Sequence, residues 1–300
     1  MMKTWRIILT ALSLTLALGA CGQQAPAPEA DPEPEQPAKR EITYSNLNDQ
    51  ESRDQAVEVM TAAGIAPERI QVLLDHVDQF NALMKPEELT AGLETHDIQE
   101  QLYDPYEVQD RWDVQYPEFM GYNCRITAYG IFGDQMTVPA DAEIRDQDLM
   151  FDLMSLEADD SAFPGETESF SAVYSMVPTE STLDVETHAA RWLQDWQDRG
   201  IAFADQDKAS LISMVFHSDL DGDYLFVGHT GVLFPADDGL YFLEKIAFQA
   251  PYRWLRFENR TELSDYLMTM HDLDVGQVLA HPFILENDQL MEGYRPKPAL

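Results

Sequence analysis

Two apolar periodicities organise the chain. Over 49–63, Val57 and Met60, with Ile65 just beyond, mark one side of a predicted amphipathic helix. Over 67–83, Ile70, Leu73, Leu74, Val77 and Phe80 mark a second. Gly64 ends the first, and Pro67 stands where the second begins. Residues 84–122 carry no clear period and are rich in Tyr, Pro and Asp, so they read as a long connection. Helices are predicted from Cys124 with Asn123 as N-cap, over 146–156, over 166–176, and over 184–199. The last has Val185, Ala189, Trp192, Leu193 and Trp196 on one stripe, Asp184 as cap and Gly200 as stop.

The period then changes. Ser210–His217, Tyr224–Phe234, Leu240–Phe248 and Tyr252–Phe257 are short apolar runs. They are separated by the turn 219–223 and by Pro235-Ala-Asp-Asp-Gly239, a hairpin connection. Asn259 and Glu262 give a capping-box pattern ahead of a helix over 261–271, and Phe283–Glu286 reads as a last strand. N-terminal helices followed by an antiparallel sheet make the expected class α+β.

The first residues follow a different logic. Lys3 and Arg6 precede an apolar and small-residue run, Ile7 to Ala20, which ends in Leu18-Gly19-Ala20-Cys21. The run is shorter than the about 20 apolar residues that cross a bilayer. Charge, apolar run, small residues and cysteine in this order predict a signal peptide over 1–20 and a lipid-acylated Cys21. From 21 to 41 prolines recur among small and acidic residues with no apolar face to bury, as expected of an extended linker. The remainder, 42–300, is expected to be a single α+β domain, exported and held at the extracytoplasmic side of a membrane through Cys21.

The formal charge is −35, and loss of Lys3 and Arg6 with the leader makes the chain more acidic still. Such a surface repels nucleic acid and excludes it as a partner. It favours cationic ligands, or it serves only solvation. There are two cysteines. With Cys21 acylated, Cys124 is the one free thiol of an exported protein, and such a thiol is either buried and inert or kept for its chemistry. In the first helical turn, orphan backbone N–H groups favour an anion at Cys124 and could bind a developing oxyanion, so Asn123 and Cys124 are candidate oxyanion and cap residues. His229 stands between Gly228 and Gly231, small neighbours that would admit a ligand to a general base. Folding the hairpin so that Phe234 meets Leu240 sets Glu244 beside Thr230 and His229, where a carboxylate could hold the imidazole. Asp237, Asp238 and Asn259 are open alternatives for that third role.

Asn123-Cys124 at a helix start, His229-Thr-Gly-Val-Leu, and Tyr241-Phe-Leu-Glu244 resemble the papain-like superfamily, especially its NlpC/P60 branch. The resemblance covers 121–133 and 227–246. It implies a papain-like core, an insertion over 146–199, and Cys124, His229 and Glu244 as the catalytic residues of a hydrolase acting on peptide or peptidoglycan amides. Arg125 stands where that family usually carries serine. YDPYEVQDRWD, HSDLDGDYLFVGHTGVLFP and ENDQLMEGYRP resemble an uncharacterised bacterial lipoprotein family, which implies an anchored domain and no particular chemistry.

No metal or cofactor is expected. Asp219, Asp221 and Asp223 with Gly222 misplace the glycine and lack the final glutamate of a calcium loop. His217 beside them has no second histidine at ligand spacing, and His188 reads as a boundary residue. Two functions therefore stand side by side: a cysteine hydrolase, or a lipoprotein that binds a peptide or divalent cation without cutting.

Overall fold

The structure is a computed structural model that describes residues 41–204, 208–274 and 276–296; the expected signal peptide, Cys21 and the linker up to residue 40 lie outside them. The first described segment is a strand, β1 (Glu41–Ser45), where the sequence predicts none. Two helices follow, α1 (Gln50–Ala62), capped by Asp49 through its bond from the Ser52 N–H, and α2 (Pro67–Asn81), with proline in its first turn. The region 84–122 is more than a connection. It holds the edge strand β2 (Glu94–Asp97) and the helix α3 (Pro105–Gln115). Both escape periodicity for a physical reason: β2 buries no side chain, and α3 buries only Val108 and Trp112.

Then come α4 (Cys124–Phe132), β3 (Met136–Thr137), α5 (Met150–Ala158), α6 (Thr167–Val173), β4 (Val177–Pro178), α7 (Val185–Asp198) and β5 (Ala202–Phe203). Asp184 caps α7, and Gly200, at φ 68°, follows its end. The C-terminal part comprises β6 (Ser210–Ser218), β7 (Tyr224–Ala236), β8 (Gly239–Lys245), β9 (Tyr252–Phe257), α8 (Arg260–His271), β10 (Phe283–Glu286) and β11 (Gln289–Leu290). Asn259 caps α8 by accepting from the Glu262 N–H, while the Glu262 carboxylate accepts from the Glu258 N–H.

The class is mixed α+β: eight α-helices among the described residues and one large antiparallel sheet. Its order is β11-β10-β6-β7-β8-β9-β1-β2, with β4 on β7, so the N-terminal strand closes against β9 and the helices do not simply precede the sheet. β3 and β5 form a separate ribbon.

The central strands read as nearly continuous apolar runs because both faces are covered. Leu211, Val232, Phe234, Tyr241, Leu243 and Trp254 pack with α1, α2 and α4. Their alternates, Ile212, Leu233, Leu240, Phe242 and Leu255, pack with Leu263, Tyr266 and Leu267 of α8. A further cluster joins Ile126 of α4 to Phe170, Trp192 and Trp196 and to Val215, Leu225 and Val227 of the sheet.

Two details of β7 set the position of His229. The hairpin closes at Ala236↔Gly239 around Asp237-Asp238, so Phe234 pairs with Tyr241, not Leu240, and Glu244 lies opposite Gly231. The register is one residue from the expected one because the turn uses two residues and leaves Pro235 and Ala236 in the strand. β7 also carries a bulge against β6: Val215 pairs with Val227, yet Met214 pairs with His229. The extra residue, Gly228, switches the alternation. Val227 therefore faces the helical layer, and His229 faces α8.

Candidate functional site

Cys124 opens α4. Asn123 caps the helix, its Oδ1 accepting from the Ile126 N–H at 3.1 Å, and its Nδ2 donates to Asp152 Oδ1 at 2.7 Å. With both ends of that amide engaged, Asn123 acts as the cap, and the orphan donors of the first turn are backbone N–H groups. Arg125 holds this turn in place. Its Nε and Nη2 donate to Asp152 at 3.0 and 2.6 Å, and its Nη1 donates to the Val227 carbonyl at 3.0 Å, one residue before the bulge. The arginine is thus a clamp between α4, α5 and β7, a role a serine could not fill.

His229 Nε2 donates to Glu244 Oε2 at 2.7 Å, diagonally across the hairpin; Glu244 is fully buried and His229 is 1% exposed. The Tyr266 hydroxyl donates to the other oxygen, Oε1. The opposite ring nitrogen, Nδ1, has no hydrogen-bond partner. Cys124, 7% exposed, is the neighbour on that imidazole besides Glu244: it stands within electrostatic reach, short of ordinary hydrogen-bond geometry. His271 stacks on His229 with ring centroids 4.3 Å apart. The structure therefore brings Cys124, His229 and Glu244 together. Asp238 instead meets the Tyr241 hydroxyl, and Asn259 is committed to its cap. Asp237 lies in the hairpin turn with Asp238.

Electrostatics follow from this packing. Burial works against a charged His229, but Cys124 and Glu244 outweigh it and push the imidazole up to about 10. Burial would also raise Glu244, yet His229, Arg253 and Tyr266 hold it below the usual carboxylate range. Burial and the neighbouring His229 charge push His271 down to about 3. Lys245, the next residue along β8, points into the helical layer. Its Nζ donates to the carbonyls of Ala247, Phe248 and Ala250 and lies 3.9 Å over the Phe80 ring. Burial holds Lys245 well below the ordinary lysine range, and Cys124 offsets this only in part.

The glycines beside His229 have another reason than ligand access. A Cβ on Gly228 would stand 2.5 Å from the Phe216 ring, and one on Gly231 would stand 2.4 Å from Phe242 and 2.5 Å from the Leu243 carbonyl. They admit aromatic rings to the sheet face. Tyr266, His271 and Arg253 carry no signal in the local motifs. Arg253 could have been found by extending the strand count, since it pairs with Glu244 across β8 and β9. Tyr266 and His271 meet the site only because α8 crosses the sheet.

The other candidates resolve structurally. His217 bonds to Asp223 at 2.9 Å and packs in a tilted pair with His188, whose ring is held by Thr179 and the Thr182 carbonyl. Among the described residues no three His, Cys, Asp or Glu side chains are grouped to hold a metal ion, and no helix is long and apolar enough to cross a membrane.

Residues 43–291 match the family described as a domain of unknown function, DUF4300, and the chain belongs to that family. No curated protein and no solved structure matches it.

Proposed function

For this member of the DUF4300 family we propose a lipid-anchored, extracytoplasmic cysteine hydrolase with a papain-like centre, acting on amide bonds of peptide or peptidoglycan. One observation carries the reading. A cysteine in the first turn of a helix stands within electrostatic reach of a buried histidine whose Nε2 is tied to a buried carboxylate and whose Nδ1 has no hydrogen-bond partner. That is the order nucleophile, base and orienting acid.

The chemistry follows from these positions. Cys124 Sγ, its proton passed to His229, attacks the amide carbonyl carbon. The oxyanion is met by backbone N–H groups of the first turn of α4. The C–N bond breaks as His229 returns a proton to the leaving amine. Water, deprotonated by the same imidazole, then attacks the thioester, freeing the carboxylic acid and the Cys124 thiol. Glu244, itself held by Tyr266, keeps Nε2 protonated and the ring oriented throughout.

The first measurement is alkylation by iodoacetamide at pH 6, where an ordinary thiol reacts slowly. Cys124 is expected to react rapidly in the native protein and slowly in His229→Ala, and both Cys124→Ala and His229→Ala should abolish hydrolysis of peptidoglycan fragments while remaining folded. Activity surviving either substitution sinks the mechanism. For the anchor, Cys21→Ser is expected to move the protein from the membrane to the soluble fraction; a variant that stays on the membrane removes the lipid reading.

A second reading has its own support. Cys124 is 7% exposed and His229 1%, tight for a substrate amide. A lipoprotein that binds a ligand without cutting it would show no alkylation of Cys124 until it unfolds.

A further inference from the structure

A cleft of about 420 Å³ lies between the end of α8, the segment 98–105 and the loop joining β8 to β9. Its wall includes Arg253, whose residue is 8% exposed. This arginine is unlike the others. Among the described residues every other arginine has a carboxylate oxygen within 4.0 Å, whether buried as Arg199 is or at the surface. Arg253 has none. Its cross-strand neighbour Glu244 already gives one oxygen to His229 and the other to Tyr266. The Arg253 Nε has no partner, Nη1 reaches the Tyr266 hydroxyl at 3.5 Å, and the guanidinium rests 4.9 Å from the Tyr44 ring, with the Tyr103 phenol also beside it.

A buried cation without a counter-ion of its own is costly. In a chain of net charge −35, carboxylates abound, yet the one in this cleft's lining, Glu100, pairs with His96 at 2.9 Å and lies beyond 4.0 Å of Arg253. The rest of the lining suits a particular anion. Gln99, Gln101 and Gln249 present neutral amides, Glu100 has its carboxylate tied to His96, and Ile246 and Met270 present apolar surface. Neutral amides match peptide groups, and apolar surface matches a side chain. A phosphate dianion would meet the field of Glu244 and of the acidic surface, whereas a single carboxylate balances a single guanidinium in a planar, two-pronged pair. The volume suits a fragment of a few residues.

We propose that this cleft binds the free C-terminal carboxylate of a short peptide, with Arg253 as the recognising group. The inference stands apart from the hydrolase reading, since it concerns binding and requires no turnover. The two meet at the β8–β9 loop, whose carbonyls hold Lys245 and whose residues Ile246, Ala247, Gln249 and Ala250 form one wall of the cleft.

The experiment is calorimetric titration of the purified full chain with N-acetyl-alanyl-alanine and, separately, with its C-terminal amide. The acid is expected to bind at least about ten-fold more tightly than the amide. Gln249→Trp, which fills the cleft from its rim, should lose the binding, and Arg253→Gln should lose the preference for the acid. Should Arg253→Gln fail to fold, the acid-to-amide ratio on the native chain and the Gln249→Trp result decide. Equal affinities, undiminished binding by Gln249→Trp, or no binding of either probe at ~10 mM, a Kd weaker than small-ligand sites of this size give, would each overturn the proposal. The same titration on Cys124→Ala should give the same preference, so a failed hydrolase and a failed subsite are told apart.

Discussion

Glu244 has both oxygens occupied, one by the His229 imidazolium and one by the Tyr266 hydroxyl, with no exposure to solvent. Such a carboxylate is stable only while every donor is present. Tyr266→Phe keeps the ring packing against Phe257 but leaves Oε1 without a donor. It should destabilise the fold by about 1–3 kcal/mol, the cost of an unsatisfied buried acceptor, and slow alkylation of Cys124 at neutral pH through the weakened hold on His229. Urea unfolding checks the first and iodoacetamide kinetics the second. A variant as stable and as reactive as the native chain would mean that Tyr266 only fills space.

At the element scale, the site depends on one extra residue in β7. Alternation along an unbroken strand would place His229 on the same face as Val227, within the helical layer. The bulge at Gly228 turns it to the α8 side, where it finds Glu244 and His271. Gly231 then lies opposite Glu244, and its missing Cβ leaves room for Phe242 and the Leu243 carbonyl. A ring can shift, but a carbonyl within a paired strand cannot do so cheaply. Gly231→Ala should therefore lose about 1–3 kcal/mol of stability, the range for overpacking a core, and disturb the His229–Glu244 pair. Chemical denaturation measures the loss; an unchanged midpoint would show that the sheet absorbs a methyl group there.

For the molecule as a whole, two stacked histidines with opposite shifts make stability depend on pH from both sides. His271 is lowered from 6.5 to about 3, so the unfolded chain takes up its proton first, and stability falls as pH drops below about 6.5 toward 3. His229 is raised from 6.5 to about 10, so its contribution is complete below 6.5 and is lost as pH rises through about 10. From these two groups, the melting temperature should be highest near pH 6.5. His271→Gln should flatten the acid limb and His229→Gln the alkaline limb, whatever each costs in absolute stability. Thermal melts across pH 4–10 test the slopes, and limbs unchanged by these substitutions would refute the assignment.

Local chemistry was legible in the chain wherever an element is specified by its own residues. Asp184 and Gly200 bound α7, Asn123 marks the start of α4, and the apolar runs locate β6 and β9, because caps, turns and strand patterns act over a few positions. The proximity of His229 and Glu244 could be approached by counting across one hairpin, and the error of one residue arose from the unseen length of the turn. What only the tertiary structure decided is non-local. The entry of β1 beside β9, the shift at Gly228, and the approach of α4 and α8 to the same histidine each depend on partners distant in sequence. So does the solitary Arg253: whether a guanidinium finds a carboxylate is a property of which strands and helices meet, and no spacing along the chain encodes it.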